Sequence, residues 1–502
     1  MSVSIPQLIE DEQVRQVFLN KKLSNAQKDE KISEIKQSFM VKQTSSFRTI
    51  VNCSNSLIGS STLVMPIYFQ QTGVLSAFIL AIVIGCVNFT TVRLVLRYHK
   101  RSEGDFADII LRILGSRAHK FYVLLIVGLM LVIGIASFLL ISNILYATLG
   151  EFMQDLPSKD TITFSSFSYQ WAGLIVSVLM FTMYNVKRMS MILTISSYGM
   201  YCVAFYIVYI IYLGLSALIN GNVSFNEAEG GLPLFKLDFS KLTTLMGIFA
   251  LGYLGHPMVI AIAKYNKNYD KNQRDIGISF AVTGVMYALI GFMGAMAINF
   301  RPACKPGTNP ASIMECLAGS QGFIRYVTFA AQMALIFQLS SITPVLNFIA
   351  RELLFKLFYD DPAKIPKSQF VGLNTITIGL QLALQILNTK PSMVISFAGT
   401  VCGFVIVYVL PIMIHFKKIK EGGKSSVSQS LMGPGEYLEA VTSPEEKSLI
   451  VTGAAVQLQN VESESSEEGK VGVGRWLFYG SLTLYGFAIM SIELYKAFSG
   501  HH

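Results

Sequence analysis

Apolar residues along this chain come in long, unbroken runs separated by short polar segments. About 20 consecutive apolar residues cross the hydrocarbon core of a bilayer as a helix, so runs of this length predict spanning helices. Eleven spans are expected, at 47–70, 74–97, 119–149, 170–186, 192–219, 242–263, 275–299, 322–350, 369–388, 391–416 and 476–498. Backbone in lipid must satisfy its own hydrogen bonds, and runs this long do so as helices. A membrane β-barrel would instead alternate in short strands. The expected fold class is an all-α polytopic membrane protein. The pattern divides the chain into a polar tail 1–46, a ten-helix core 47–416, a polar insert 417–475 and a last span 476–498.

Composition agrees with the pattern. Only 14% of the 502 residues are charged and 52% are hydrophobic, whereas an average soluble domain is about 25% charged. The net charge of +9 would suggest nucleic acid in a soluble protein. Here the basic residues sit in loops between apolar runs, which predicts a bilayer and no nucleic-acid partner. With the N-terminus placed in the cytoplasm, 32 of the 40 Lys and Arg fall on the inner side. That asymmetry predicts a cytoplasmic N-terminus and, with eleven spans, a non-cytoplasmic C-terminus. The membrane itself, whether vacuolar, lysosomal, other endomembrane or plasma membrane, is not specified. The first 46 residues are polar, so no cleavable signal peptide is expected.

Loop chemistry adds detail. Asn222-Val223-Ser224 is a glycosylation sequon on the expected outer side, used or unused. Cys304 and Cys316 share the outer loop 300–321, where an oxidising lumen would let them pair. The other four Cys lie in apolar spans and read as packing residues. The tail 1–46 is mixed in charge, and 417–475 is rich in Gly, Ser and Glu, a composition that predicts disorder. Both are candidate docking segments for cytoplasmic proteins.

No catalytic or metal-binding pattern stands out, so neither an enzyme nor a metal cofactor is expected. The informative features are interrupted spans. Span one carries Asn55-Ser56-Leu57-Ile58-Gly59-Ser60-Ser61-Thr62-Leu63-Val64-Met65-Pro66, and span six carries Phe249-Ala250-Leu251-Gly252-Tyr253-Leu254-Gly255-His256-Pro257. Gly, hydroxyl runs and Pro propagate helices poorly. These spans open two five-span halves, and paired interruptions at matching places point to a transporter's central site. Unwound backbone would offer a positive helix end to a carboxylate and freed carbonyls to an ammonium or a cation. Close Gly-mediated helix packing is the competing explanation. His256 is the one ionisable side chain deep in the expected spans; it either couples a proton or bonds a neighbouring helix. Ser340 and Ser341 in span eight either ligate Na⁺ or bond back to their own helix.

The motifs resemble those of the amino acid/auxin permease family. Asn55 to Pro66 is similar to its Asn-x-x-x-Gly-small-small-x-Leu-x-x-Pro signature. Gly255-His256-Pro257 followed by Lys264 is similar to its Gly-His motif, and Ser396 to Gly403 with Leu410-Pro411 to its penultimate-helix pattern. The resemblance covers 47–416. It implies an inverted five-plus-five repeat with one extra C-terminal helix and alternating access. It also implies an amino acid substrate and coupling to H⁺ or Na⁺. Carried onto this chain, Asn55, Ser56, Ile58, Gly59, Ser60 and Ser61 would line the site from span one, and Phe249, Ala250 and Gly252 from span six. The pattern departs from the family at Ile260 and Ala261 and in span seven. The second expectation is therefore a transporter-like nutrient sensor or structural subunit that carries nothing.

Overall fold

Among its described residues, the computed structural model is all helical apart from one isolated backbone bridge, Thr44 to Asn266. It describes residues 44–431, apart from 101–102, 154–156, 160, 165, 187–188, 226–230, 237, 300, 302–303, 305–309, 319, 357–358 and 360–365, together with most positions between 479 and 495. The tail 1–43 and the stretch 432–478, where cytoplasmic partners were expected to dock, lie outside the described residues.

The first span is broken as its composition dictates. Helix α1 (Ser46–Leu57) begins at Ser45, whose hydroxyl accepts from the Arg48 amide. It stops before Gly59, a 3₁₀ turn covers Ser60–Leu63, and α2 (Met65–Thr72) resumes with Pro66 in its first turn. Proline is tolerated there because those amides have no intrahelical partner. Helices α3 (Val74–Tyr98), α4 (Phe106–Leu114), α5 (Ser116–Gly150), α6 (Tyr169–Tyr184) and α7 (Met189–Ile219) follow. The second half repeats the device. Helix α8 (Phe239–Gly252) ends at Tyr253, and α9 (His256–Lys264) restarts with Pro257 in its first turn. Then come α10 (Asn272–Ile298), the short α11 (Ile313–Leu317), α12 (Phe323–Lys356) and α13 (Lys367–Ile386). Helix α14 (Pro391–Phe397) widens through π turns over Ala398–Cys402 and Phe404–Val409 into α15 (Leu410–Leu431).

Seven of these segments are long and apolar enough to cross a membrane by length and composition: 74–98, 116–150, 198–219, 239–264, 269–298, 323–355 and 391–421. Large apolar side chains such as Ile82, Val178, Val208, Val285 and Ile376 stand 65–70% exposed on the flanks. A surface like that belongs in lipid. The expected count of eleven is not reached by this measure, for physical reasons. Span one is split into pieces of 12 and 8 residues, and α6 has only 16. Helix α13 spends its buried face on Asn374, Thr377, Gln381 and Gln385. The last span is only partly described.

One boundary and one added helix differ from the pattern-based reading. The helix expected to stop at 416 continues to Leu431. Helix α4 was not expected. It is capped by Asp105, which accepts from the Asp108 amide, and buries Phe106, Ile109, Ile110 and Ile113. That i, i+3, i+4, i+7 spacing is an amphipathic stripe, too short to register as a span.

Candidate central cavity between two helix breaks

A cavity of about 520 Å³ lies against both breaks. Asn55, Ser56, Ile58, Gly59, Ser60 and Ser61 line it from the first span, and Leu251, Gly252, Leu254, Pro257 and Met258 from the sixth. Helix α5 adds Met130, Ile133 and Ser137, α7 adds Gly199 and Met200, and α12 adds Gln338, Ser341 and Ile342. Among the described residues, no Asp, Glu, Lys, Arg or His lines it. The charge density at its wall comes from helix ends. The C-terminal ends of α1 and α8, at Leu57 and Gly252, point negative dipole ends into the site. The turn at Ser60–Ser61 and the start of α9 supply the positive ends.

Side-chain exposure differs on the two sides of the first break. Asn52, Asn55 and Ser56 are exposed along one face of α1, and Gly59 just beyond its end is exposed as well. Beyond the break, Ser61, Thr62, Leu63, Val64 and Met65 are buried. Tyr206 donates to the Thr62 carbonyl at 3.3 Å, and the Phe69 and Phe249 rings stack edge-on at 6.3 Å. The opening therefore faces the end where α1 begins. At that end Thr44 exchanges backbone bonds with Tyr265 (2.8 Å) and Lys267 (2.9 Å), which ties the start of α1 to the end of α9. The opposite end is capped by α11, whose Cys316 is disulfide-bonded to Cys304, and by Lys159, 2.7 Å from Glu315.

Of the residues singled out in the sequence, the first-span set and Gly252 meet at this cavity. Phe249 and Ala250 do not. Successive helix residues point about 100° apart, so turning Leu251 and Gly252 inward sends their predecessors elsewhere. Phe249 is fully buried among Phe69, Tyr253 and Tyr287, and Ala250 faces a separate crevice with Gly399 and Thr400. His256 also lies outside the lining. Its Nε2 sits 3.0 Å from Thr91 Oγ1 on α3, while Nδ1 has no partner. Ser341 lines the cavity and donates back to the Gln338 carbonyl at 2.7 Å. Ser340 is off the lining, with its buried hydroxyl unpartnered. Asn222 is exposed in the loop after α7.

Sequence reasoning passed over Gln338, Ser137 and the three methionines Met130, Met200 and Met258. It also passed over Tyr287 on α10. Its hydroxyl donates toward both the Leu57 carbonyl (2.6 Å) and the Gly252 carbonyl (2.9 Å). Among the described residues no group of three metal-ligating side chains occurs.

Residues 42–429 match the model of the family described as transmembrane amino acid transporter protein. The sodium-coupled neutral amino acid transporter 9 homolog of Caenorhabditis elegans is 21% identical over an alignment covering 75% of this chain and 68% of the nematode protein. Neutral amino acid transporter 9 of Xenopus tropicalis is 28% identical over 42% of this chain and 36% of its own length. That of Danio rerio is 24% identical over 40% and 35%. The chain thus aligns with only about a third of the length of these vertebrate relatives. Among solved structures, MhsT in complex with L-phenylalanine superposes with a TM-score of 0.53 at 12% identity, covering 91% of this chain and 99% of that one. This last likeness is one of fold.

Proposed function

The chain belongs to the transmembrane amino acid transporter family, and from that premise we propose that its central cavity carries an amino acid with an uncharged side chain by alternating access. The observation that carries this reading is the lining: two helix breaks supply opposed dipole ends, and no ionised side chain is present among the described lining residues. A zwitterion's carboxylate suits the amides at Ser60–Ser61, and its ammonium suits the carbonyls of Leu57 and Gly252. A charged side chain would find no counter-ion there, and burying it unpaired is costly. The methionines offer an adaptable, polarizable wall for side chains of different shape.

The same reading extends to coupling and orientation. Gradient energy comes from Na⁺ or H⁺; the nematode relative's name includes sodium coupling, and His256 is the candidate proton carrier. The basic loops favour a cytoplasmic N-terminus, which makes the open side of the cavity the inner one. The partnering tails and Asn222 glycosylation belong to this reading as well.

The test is uptake by purified protein in liposomes across a panel of labelled amino acids, under imposed Na⁺ and pH gradients. Gradient-driven, saturable uptake of neutral amino acids, abolished by Ser60→Trp, is the expected result. Absence of uptake by folded protein across the panel would instead support a transporter-like sensor or structural subunit.

A further inference from the structure

One hydroxyl touches both helix breaks. Tyr287 Oη, from α10, lies 2.6 Å from the Leu57 carbonyl oxygen and 2.9 Å from the Gly252 carbonyl oxygen. Leu57 is the last residue of α1 and Gly252 the last of α8. Carbonyls at such positions have lost the amide that would bond them in a continuing helix. Two negative helix ends brought together also repel, and more strongly away from water. Tyr287 is fully buried.

We infer that Tyr287 is a positioning residue that pins the two discontinuous helices to one another. Its single proton is donated to the nearer Leu57 carbonyl and shared with that of Gly252. A fixed O–H thereby supplies the positive charge density that the paired carbonyl ends require. The direction of the hydroxyl is set by packing, since the ring lies 5.2 Å from Tyr253 and 6.3 Å from Phe249. Gly252 is part of the same device. A Cβ there would stand 3.0 Å from the Tyr287 hydroxyl and ring edge and 3.2 Å from Ser61 Oγ, so the close approach needs glycine. Leu57 and Gly252 both line the cavity. The pin therefore sets the spacing of the carbonyl edge that receives a substrate ammonium, a consequence that rests on the amino acid reading above.

The test compares full-length wild type with Tyr287→Phe, which keeps the ring and removes the hydroxyl. Hydrogen exchange is followed by mass spectrometry on peptides covering 58–64, 253–259 and, as a reference, α13. Loss of one buried hydrogen bond corresponds to about a fivefold to tenfold change. Both break peptides are expected to exchange faster by about that factor in parallel, with α13 unchanged. In liposomes KM should rise by a similar factor while kcat stays within about twofold. Unchanged exchange at either break would overturn the pin, and so would uniformly faster exchange in every helix. The exchange arm needs no substrate. A wild-type protein that carries no amino acid would defeat the transport reading and leave the pin to be judged by exchange alone.

Discussion

Lys159 Nζ lies 2.7 Å from Glu315 Oε1, and it donates a second bond to Asn143 Oδ1 at 2.8 Å. The contact ties the loop after α5 to α11, on the sealed side of the cavity. Both side chains keep partial exposure, 20% and 26%, so the pair lies between a screened surface bridge and a buried one. Lys159→Met should destabilise the protein by about 1 kcal/mol, read from thermal melting in detergent. The charge-reversed double variant, Lys159→Glu with Glu315→Lys, should recover part of that loss in a double-mutant cycle. No coupling in the cycle would mean that Asn143, and not Glu315, holds the loop.

Two glycines make opposite forecasts. At Gly59 a Cβ would meet nothing within 4 Å. At Gly399, in the π turn after α14, a Cβ would come within 2.0 Å of the Gly247 carbonyl and 2.8 Å of the Leu251 amide. Gly59→Ala should therefore fold with unchanged thermal stability. Gly399→Ala forces α8 and the π turn apart, and overpacking of this kind costs about 1–3 kcal/mol or more. Melting of the two variants side by side checks both. A stable Gly399→Ala protein would mean that the π turn relaxes by shifting register.

Much of the site was legible because glycine and proline punctuate apolar runs. Gly59, Pro66, Gly255 and Pro257 mark both breaks directly, and the family resemblance supplies the first-span residues. The orientation of α8 was not legible. A helix places each next residue about 100° round, and sequence alone does not say which face of α8 packs against α14, α3 and α2, so the family resemblance puts Phe249 and Ala250 at a cavity whose lining does not include them. Gln338 and Tyr287 escaped notice for a related reason. A polar side chain inside an apolar helix is read through its partner, and the partners here are cavity space for Gln338 and, for Tyr287, two carbonyls 230 and 35 residues away in the chain. Helix α4 was hidden by length, although Asp105 and its apolar stripe announce it. The polar buried face of α13 shows the same limit: Gln381 and Gln385 pair with Tyr184 and the Tyr169 carbonyl of α6, which no local pattern specifies.

His99, just past the end of α3, predicts a pH dependence. Burial holds its imidazole below the ordinary histidine range, against the opposing pull of the Glu103 carboxylate. The groups facing it are Tyr269, whose hydroxyl lies 2.9 Å from Nδ1, Glu103 on its own loop, Arg112 on α4 and Lys264 on α9. The folded protein thus favours the neutral ring. Its contribution to stability is complete above pH 6.5, the ordinary value, and is lost as pH falls below it, because the unfolded chain then binds a proton that the fold refuses. Melting temperature should fall between pH 7.5 and 5.5, and His99→Gln should flatten part of that slope. An unaltered slope would assign the acid sensitivity to other groups.

The sequon at Asn222 decides orientation. Asn222 is exposed in the loop that follows α7. Because α8 with α9 and then α10 each run across the fold, that loop shares its side with the Cys304–Cys316 loop, opposite the start of α1. Protein made in a eukaryotic membrane should shift in gel mobility on enzymatic deglycosylation, and Asn222→Gln should abolish the shift. The complementary variant is Asp270→Thr, which creates the acceptor Asn268-Tyr269-Thr between α9 and α10. With the N-terminus cytoplasmic this new sequon stays unmodified. Glycosylation at Asn268 and none at Asn222 would invert the chain in the membrane. The open side of the cavity would then face the lumen or exterior, and the basic loops would need an explanation other than the positive-inside effect.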